Sequence, residues 1–294
     1  MKSSLQNTLE EGKTAITAEI MPPRGGDISK VIYKAKLINN LVSAINITDG
    51  SRAIMRMSSL SVCKKLLEEN IEPVFQLSCR DRNRIALQAE ILGAHALGIK
   101  NILCLTGDPV RIGDQPNAKS VHDYDSHKLI KQVTDFNQGI DPISGTLSEG
   151  KTNLFPGAAA DPNCKGLDGL RRRIEKKKES GAKFLQTQMV MDSKILEHFC
   201  KEIAEPLEMP VLTGVFLLKS AKNADFINRV VPGANIPNEL IERLANSTNP
   251  IEEGVAIASE QIKSFLGISQ GVHIMAVKAE EQIPKILKKA NINL

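Results

Sequence analysis

With 294 residues, 41% of them hydrophobic, 24% charged and none of them Trp, the chain carries enough apolar sequence for a sizeable core and fits a water-soluble globular protein. Aromatics at 3% leave too few rings for base stacking, and a net charge of +4 spread through Lys and Glu mixtures makes no basic stripe, so no nucleic-acid partner is expected. No apolar run reaches the length of a membrane span and nothing near Met1 has the apolar centre of a signal peptide, so a cytoplasmic location without membrane contact is expected.

Residues 1–13 are polar and helix-like. The stretch 14–21 is then a strand stopped by Pro22-Pro23, with Glu19 near its carboxyl end. A helix with Ile28, Val31, Ile32, Ala35, Leu37 and Ile38 on its apolar side leads to the strand 44–49, which closes on Gly50. The helix 58–69, capped by Ser58, precedes the strand 73–79, and the helix 81–97 delivers the chain to Asn101. From Asn101 to Leu105 every residue after the first is apolar, the pattern of a parallel strand covered on both faces, and it runs into Gly107-Asp108.

A polar loop from Gly107 to Asp125, longer than most strand-to-helix connections, reads as a binding segment. The helix 125–137, the strand 154–160, a basic helix and the strand 182–191 follow. The run Arg171 to Lys178 is dense in charge, but Leu167, Leu170 and Ile174 recur at helical spacing, so it reads as a solvated helix face. The helix 193–205, the strand 210–218, helical segments over 220–266, the strand 271–277 and a final helix complete the chain.

Eight strands separated by helices in about 250 residues, with no Pro/Gly/Ser-rich linker, predict an α/β fold, a single (β/α)8 TIM barrel over 1–294; a doubly wound open sheet is the alternative. In the barrel, Glu19, Thr48, Gln76, Asp108, Ala160 and Gln188 should converge on one mouth. Cys63, Cys79, Cys104, Cys164 and Cys200 show no C-x-x-C spacing and read as reduced thiols. The five histidines (His95, His122, His127, His198 and His273) show no H-x-x-x-H and no cluster with cysteine, so no metal site is expected.

Gly145 to Thr152 matches G-x-x-x-x-G-K-[ST] letter for letter. A phosphate loop needs a strand before it and a helix after it, so that N–H groups and the helix dipole face the phosphate. Here a turn-rich stretch precedes and the strand at Leu154 follows, so the match reads as coincidence. Glu19 and Asp108 are the better candidates: two carboxylates at strand ends can divide the roles of proton donor and stabiliser of a cation. The plainer alternatives are that Glu19 pairs with a core Lys or Arg and that Asp108 caps a turn before Pro109. Gln188 is either an amide reader of a ligand or an inward polar layer residue.

Glu19-Ile-Met-Pro-Pro-Arg24, Asn46-Ile-Thr-Asp49, Leu105-Thr-Gly-Asp108, Ala158-Ala-Ala-Asp-Pro162 and the Gly181 to Gln188 stretch resemble, in order and spacing, the methylenetetrahydrofolate reductases. The resemblance runs from Thr14 to about Val277. It implies an FAD-containing barrel of one-carbon metabolism and methionine biosynthesis that reduces 5,10-methylenetetrahydrofolate to 5-methyltetrahydrofolate by hydride transfer through the flavin. It further implies Glu19 as general acid, Asp108 as the acid beside flavin and folate, and Gln188 as the amide that reads the pterin. Flavin-contacting positions fall on Thr48, Gln76, Thr106, Gly107, Asp108, Ala160, Asp161 and Lys177, and the segment near the adenosine on Val121, His122 and Asp123. Gln76, Thr106 and Asp161 stand where many relatives have His, Arg and Tyr, so the contacts are not a copy.

The aromatic that the family places against nicotinamide and folate is Ala221 here, which cannot stack, and Phe226 is expected to point elsewhere. NADH or a partner electron-transfer subunit is therefore the implied donor, with the partner favoured and the chain an oligomer or complex subunit. The rivals are a folate barrel acting in methyl transfer and a flavin- or folate-binding subunit of a larger complex.

Overall fold

Eight parallel strands close into a barrel in sequence order: β1 (Ala15–Ile20), β2 (Ala44–Ile47), β3 (Pro73–Ser78), β4 (Asn101–Leu105), β5 (Phe155–Ala160), β6 (Phe184–Met189), β7 (Val211–Phe216) and β8 (Gly271–Met275). β8 pairs back onto β1 from Ala15 opposite Gly271 to Ala18 opposite Ile274. The computed structural model describes residues 1–147, 149–231 and 233–292. The (β/α)8 expectation holds.

The helices are α1 (Ser4–Glu10), α2 (Ser29–Ile38), α3 (Ser59–Glu68), α4 (Arg84–Ala96), α5 (Ser126–Gln138), α6 (Leu167–Glu179), α7 (Ser193–Phe199), α8 (Ala221–Val230), α9 (Asn238–Asn246), α10 (Pro250–Phe265) and α11 (Ile283–Lys289). Three details depart from the expected elements. Ser58 stands at the N-cap of α3 but its side chain makes no capping bond. The helix after β6 passes into a π-helical stretch over Cys200–Ala204. The segment after β7 is three helices, α8, α9 and α10, which build a satellite apolar cluster around Leu218, Ile227, Leu244 and Ile257. The G-x-x-x-x-G-K-[ST] stretch lies on the α5-to-β5 connection, at the barrel end opposite the mouth, and Thr152 Oγ1 donates to Asn137 Oδ1 at 2.7 Å; Ser148 within it lies outside the described residues.

Two-residue alternation along each strand decides what fills the barrel. In β1, Ile16, Ala18 and Ile20 belong to the large core shared with Val31, Ala35 and Ile38 of α2, while Ala15 belongs to a second cluster inside the barrel. That inner cluster is apolar: Val74, Leu103, Phe155, Phe184 and Leu212 pack there with Leu5 and Leu9, so α1 plugs the amino-terminal end. The rings of Phe155 and Phe184 stack with centroids 5.5 Å apart. Above this dry layer the inward positions turn polar, with Thr17, Asn46, Gln76, Gln186 and His273 all buried.

Phe184 is fully buried against this base. Its truncation in Phe184→Ala should cost about 3–5 kcal/mol of unfolding free energy, visible as a lower urea midpoint at unchanged slope. A loss below about 1 kcal/mol would mean that neighbours collapse into the space and the layer is not close-packed.

Candidate active site at the barrel mouth

Two adjoining cavities, of about 390 and 310 Å³, open at the carboxyl ends of the strands and share Gln76, Leu105, Ala159, Lys177 and Gln188 as walls. Glu19, Ala160 and Asp161 border the first; Thr106, Gly107 and Asp108 border the second. These are volumes typical of small-molecule sites, at the barrel end where strand-terminal residues from separate units meet.

Glu19 is the last inward residue of β1, and its side chain is 16% exposed. No Lys or Arg salt bridge to it occurs among the described residues; its charged neighbour is His273 of β8, itself 1% exposed, with Nε2 3.7 Å from Glu19 Oε2. Thr17 Oγ1 lies 3.0 Å from His273 Nδ1. The β1–β8 register sets Thr17 directly opposite His273, so threonine, imidazole and carboxylate follow one another toward the cavity. When Nδ1 accepts the Thr17 hydroxyl, Nε2 carries the proton and faces Glu19. His273 Nε2 has no hydrogen-bond partner within bonding range.

Asp108 reaches the second cavity because Gly107 turns the chain sharply after β4. Gly107 has φ +95, and a Cβ there would sit 2.2 Å from Ser78 Oγ, so both the conformation and the space demand glycine. Asp108 is exposed, and its carboxylate accepts the Arg52 backbone N–H at 2.6 Å. It is therefore both a rim charge and the anchor of the loop after β2, where Arg52 and Ala53 are left-handed at φ 57 and 54.

Gln188 owes its position to a bulge. Gln186 pairs with Leu212 but Met189 with Gly214, so β6 carries one extra residue there. Gly214 permits it, since a Cβ would come within 2.7 Å of Gln188 O. Gln188 Oε1 accepts its neighbour's Met189 N–H at 3.1 Å, which leaves the amide NH2 for the cavity. Gln76 is oriented the other way: its Nε2 donates to Asn46 Oδ1 at 3.3 Å, leaving its carbonyl.

Lys177 of α6 lies between the two cavities, with Nζ donating to Ala159 O at 2.7 Å. Burial, and then the neighbouring Arg173 cation, pull its pKa from an ordinary 10.5 to about 8. Arg173, one helical turn earlier, also borders the first cavity and donates to Cys164 Sγ at 3.2 Å. Neither cation has a carboxylate partner among the described residues. Two such cations on one wall suit a phosphate or another anion.

The remaining predicted positions divide. Thr106 Oγ1 accepts the Ser126 N–H, and Asp161 Oδ1 accepts from the Asn163 backbone and side chain. Thr48 is fully buried, lines neither cavity, and has an unpartnered hydroxyl. Val121, His122 and Asp123 also line neither. Val121 N–H donates to Arg80 O, and Asp123 takes the Arg84 N–H and guanidinium, which holds its carboxyl well below the usual range. Phe226 lines neither cavity, as expected; the Arg52 guanidinium lies over its ring at 5.9 Å, so the β2 loop and α8 touch at the rim. Five residues from Ala221 is a different helix face, but the long Arg52 side chain reaches it. Among the described residues there is no cluster of three His, Cys, Asp or Glu able to hold a metal ion, and no helix is long and apolar enough to cross a membrane.

Thr17, Arg173, Gln186 and His273 are site residues that sequence reasoning passed over. The usable signal was alternation: Thr17 and Glu19 share the inward face of β1, and Gln186 and Gln188 are two apart in β6.

The methylenetetrahydrofolate reductase family model matches residues 4–291. Methylenetetrahydrofolate reductase 1 of Schizosaccharomyces pombe is 23% identical over 230 residues, which are 76% of this chain and 36% of that protein. The 5,10-methylenetetrahydrofolate reductase of Pectobacterium carotovorum subsp. carotovorum is 22% identical over 272 residues, 89% of this chain and 85% of its own. The chain thus spans little over a third of the yeast relative and most of the bacterial one. Among solved structures, an uncharacterised protein from Clostridium thermocellum that binds two copies of 5-methyl-5,6,7,8-tetrahydrofolic acid superposes with a TM-score of 0.65 at 17% identity, covering 98% of both chains. A protein from Aquifex aeolicus VF5 gives 0.53 at 14% identity, covering 98% of this chain and 93% of that one. At such identities the likeness is one of fold.

Sulfate, whose charge is constant across this range, should bind the mouth less tightly as pH rises beyond about 8 and Lys177 loses its proton. Lys177→Met should weaken binding at pH 7 and remove that step, as followed by NMR titration; pH-independent binding by the wild type would detach the anion site from Lys177. Stability moves oppositely. Between about 8 and 10.5 the unfolded chain holds the lysine proton that the folded chain has released, so the burial cost felt below pH 8 is relieved as pH rises.

Proposed function

Because the chain belongs to the methylenetetrahydrofolate reductase family, we propose that it reduces 5,10-methylenetetrahydrofolate to 5-methyltetrahydrofolate with FAD held at the barrel mouth. The observation that carries this reading is Glu19 at the cavity wall with His273 and Thr17 behind it. It is a carboxyl placed to give a proton and an imidazole placed to hold one. The bacterial relative supports it across 85% of its length, and the similar Clostridium thermocellum protein binds 5-methyltetrahydrofolate, the product of this reaction.

The donor set fits a flavin dinucleotide. Lys177 and Arg173 would meet its phosphates, while Gln76, Thr106, Gly107 and Ala160 would wall its ring system. When bound, the flavin supplies the hydride; the protein supplies position and charge.

Glu19 acts as the general acid, giving a proton to the folate nitrogen as the methylene bridge opens to an iminium cation. His273, oriented by Thr17, holds the proton that faces Glu19. Asp108 contributes a negative charge at the rim that stabilises the cation. Gln188 offers its amide NH2 to an acceptor on the pterin.

The electron donor is read from the rim. Ala221 offers no ring, and Phe226 is engaged by Arg52. A nicotinamide has no free aromatic among these residues to hold it against the flavin, which favours a partner electron-transfer subunit over NADH. The methyl-transfer rival needs no flavin, so a colourless protein that still binds folate would favour it.

Glu19→Gln should keep bound FAD, reducible by an artificial donor, and lose folate turnover by about 10²–10⁴-fold; near-normal turnover would remove Glu19 from the role of acid. Anaerobic stopped-flow mixing with NADH should give slow, incomplete bleaching of the flavin absorbance. Complete bleaching at turnover rates with no other protein present would refute the need for a partner.

A further inference from the structure

The connection from β4 to α5 is long, yet it is pinned along its course. A Cβ on Gly113 would fall 1.9 Å from Ala53 O, so this loop lies directly on the β2 loop. Asp114 accepts the Met55 N–H at 2.9 Å and the Arg24 guanidinium at 2.6 Å, and Val121 N–H donates to Arg80 O at 2.7 Å. Between the two loops opens a third cavity of about 360 Å³, which adjoins the second and shares Asp49, Gly50 and Arg80 with it. Met55, Arg56, Val110 and Ala118 are among its walls.

This framework holds apolar side chains out in water. Met55, Ile85, Ile112 and Val121 are between 43 and 72% exposed, and each is a wall residue of the groove or within three residues of one. Single exposed apolar residues are ordinary, but four around one groove mark an interaction surface. Charge around them is uneven. The carboxylates are spent on holding the loops: Asp49 pairs with Arg82, Asp81 with Arg80, Asp114 with Arg24 and Asp123 with Arg84. Asp108, the remaining one, takes the Arg52 N–H. Arg52, Arg56, Arg111 and Lys119 form no salt bridge among the described residues. Apolar side chains ringed by unpaired cations complement an acidic protein surface. A second copy of this chain would set the same cations against one another, which disfavours a symmetric dimer through this face.

We propose that the groove between the β2 and β4 loops is the docking surface for the electron-donating partner, and that the partner's contact face carries carboxylates around an apolar centre. The inference rests on the proposed function, in which a partner protein reduces the flavin. The same loops make the groove and the wall of the second cavity: Gly50 borders both, and Thr106, Gly107 and Asp108 lead from the cavity to Val110 at the groove. A partner seated there adjoins the proposed flavin site without covering the first cavity, where Glu19 stands.

The probe is a purified, photoreduced iron–sulfur protein of acidic surface, a ferredoxin with two [4Fe–4S] clusters, mixed anaerobically with the flavin-loaded protein in a stopped-flow instrument. Each cluster gives one electron, so one ferredoxin oxidised at both clusters reduces one flavin, which takes its protons from solvent. The second-order rate constant for flavin bleaching should fall about tenfold between roughly 50 and 500 mM NaCl. Arg111→Glu with Lys119→Glu should lower the low-salt rate constant by about tenfold and flatten its salt dependence, and Met55→Ser should lower it at both salt concentrations. Lys263→Glu with Lys288→Glu, near the carboxyl ends of α10 and α11, changes net charge equally and should leave the rate constant within about threefold. Folate turnover driven by reduced methyl viologen should match the wild type in every variant. A ferredoxin rate constant unchanged by the Arg111 and Lys119 exchanges, or lowered as much by the remote pair, would overturn the docking surface, while viologen-driven turnover leaves the function standing. Failure of the reduced ferredoxin to bleach the wild-type flavin would overturn it too. A protein that holds no flavin would sink the function and this proposal together.

Discussion

The register in which β8 closes onto β1 is the constraint from which the site takes its form. Thr17 stands opposite His273 because Ala15 stands opposite Gly271, and a slip of one residue would turn His273 outward into the helix layer. Glu19 would then face the cavity without an imidazole behind it. The closure also seals the barrel, so its consequences for stability and for chemistry cannot be separated by moving one strand alone.

The barrel interior is divided by depth. Its base is dry and close-packed, with stacked Phe155 and Phe184 and the leucines of α1 beneath them. Its upper half is polar and under-satisfied: Asn46, Gln186 and His273 are buried with unpaired atoms. Each such atom is destabilising, and the apolar base offsets that cost. The β6 bulge belongs to the same division. It breaks the ladder with β7 between Gln186 and Met189, and in exchange Gln188 has its carbonyl tied to Met189 N–H with its NH2 at the cavity.

Much of this was legible along the chain because parallel barrel strands are continuous apolar runs. The Asn101 to Leu105 run, the Gly107-Asp108 step after it and the Pro22-Pro23 stop after Glu19 are local signals, and the structure places each at the mouth or on the way to it. What stayed hidden is long-range. Thr17 and His273 are 256 positions apart, and only barrel closure brings them together. The bulge depends on Gly214 in another strand, and the Arg52 contact with Phe226 depends on a side chain crossing the rim. The resemblance carried Val121, His122 and Asp123 as a group. Their surroundings were not in it, and Arg84 occupies the Asp123 carboxylate.

Asp108 illustrates how a rim residue can serve two ends at once. Its carboxylate accepts the Arg52 N–H, and the left-handed pair Arg52 and Ala53 is a conformation that costs roughly 1–3 kcal/mol per residue unless something holds it. Asp108 is one such hold, and the stack of Arg52 on Phe226 is another. Three connections, after β2, β4 and β7, are thereby linked through one backbone N–H and one guanidinium. On the proposed function a charge at position 108 would act on the bound cation directly, and it acts on the shape of the rim through Arg52. Removing it alters both, whereas exchanging Arg52 for a residue without the guanidinium leaves the backbone bond to Asp108 in place and releases only α8. That asymmetry follows from which atoms make the contacts: the anchor is main chain, and the bridge is side chain.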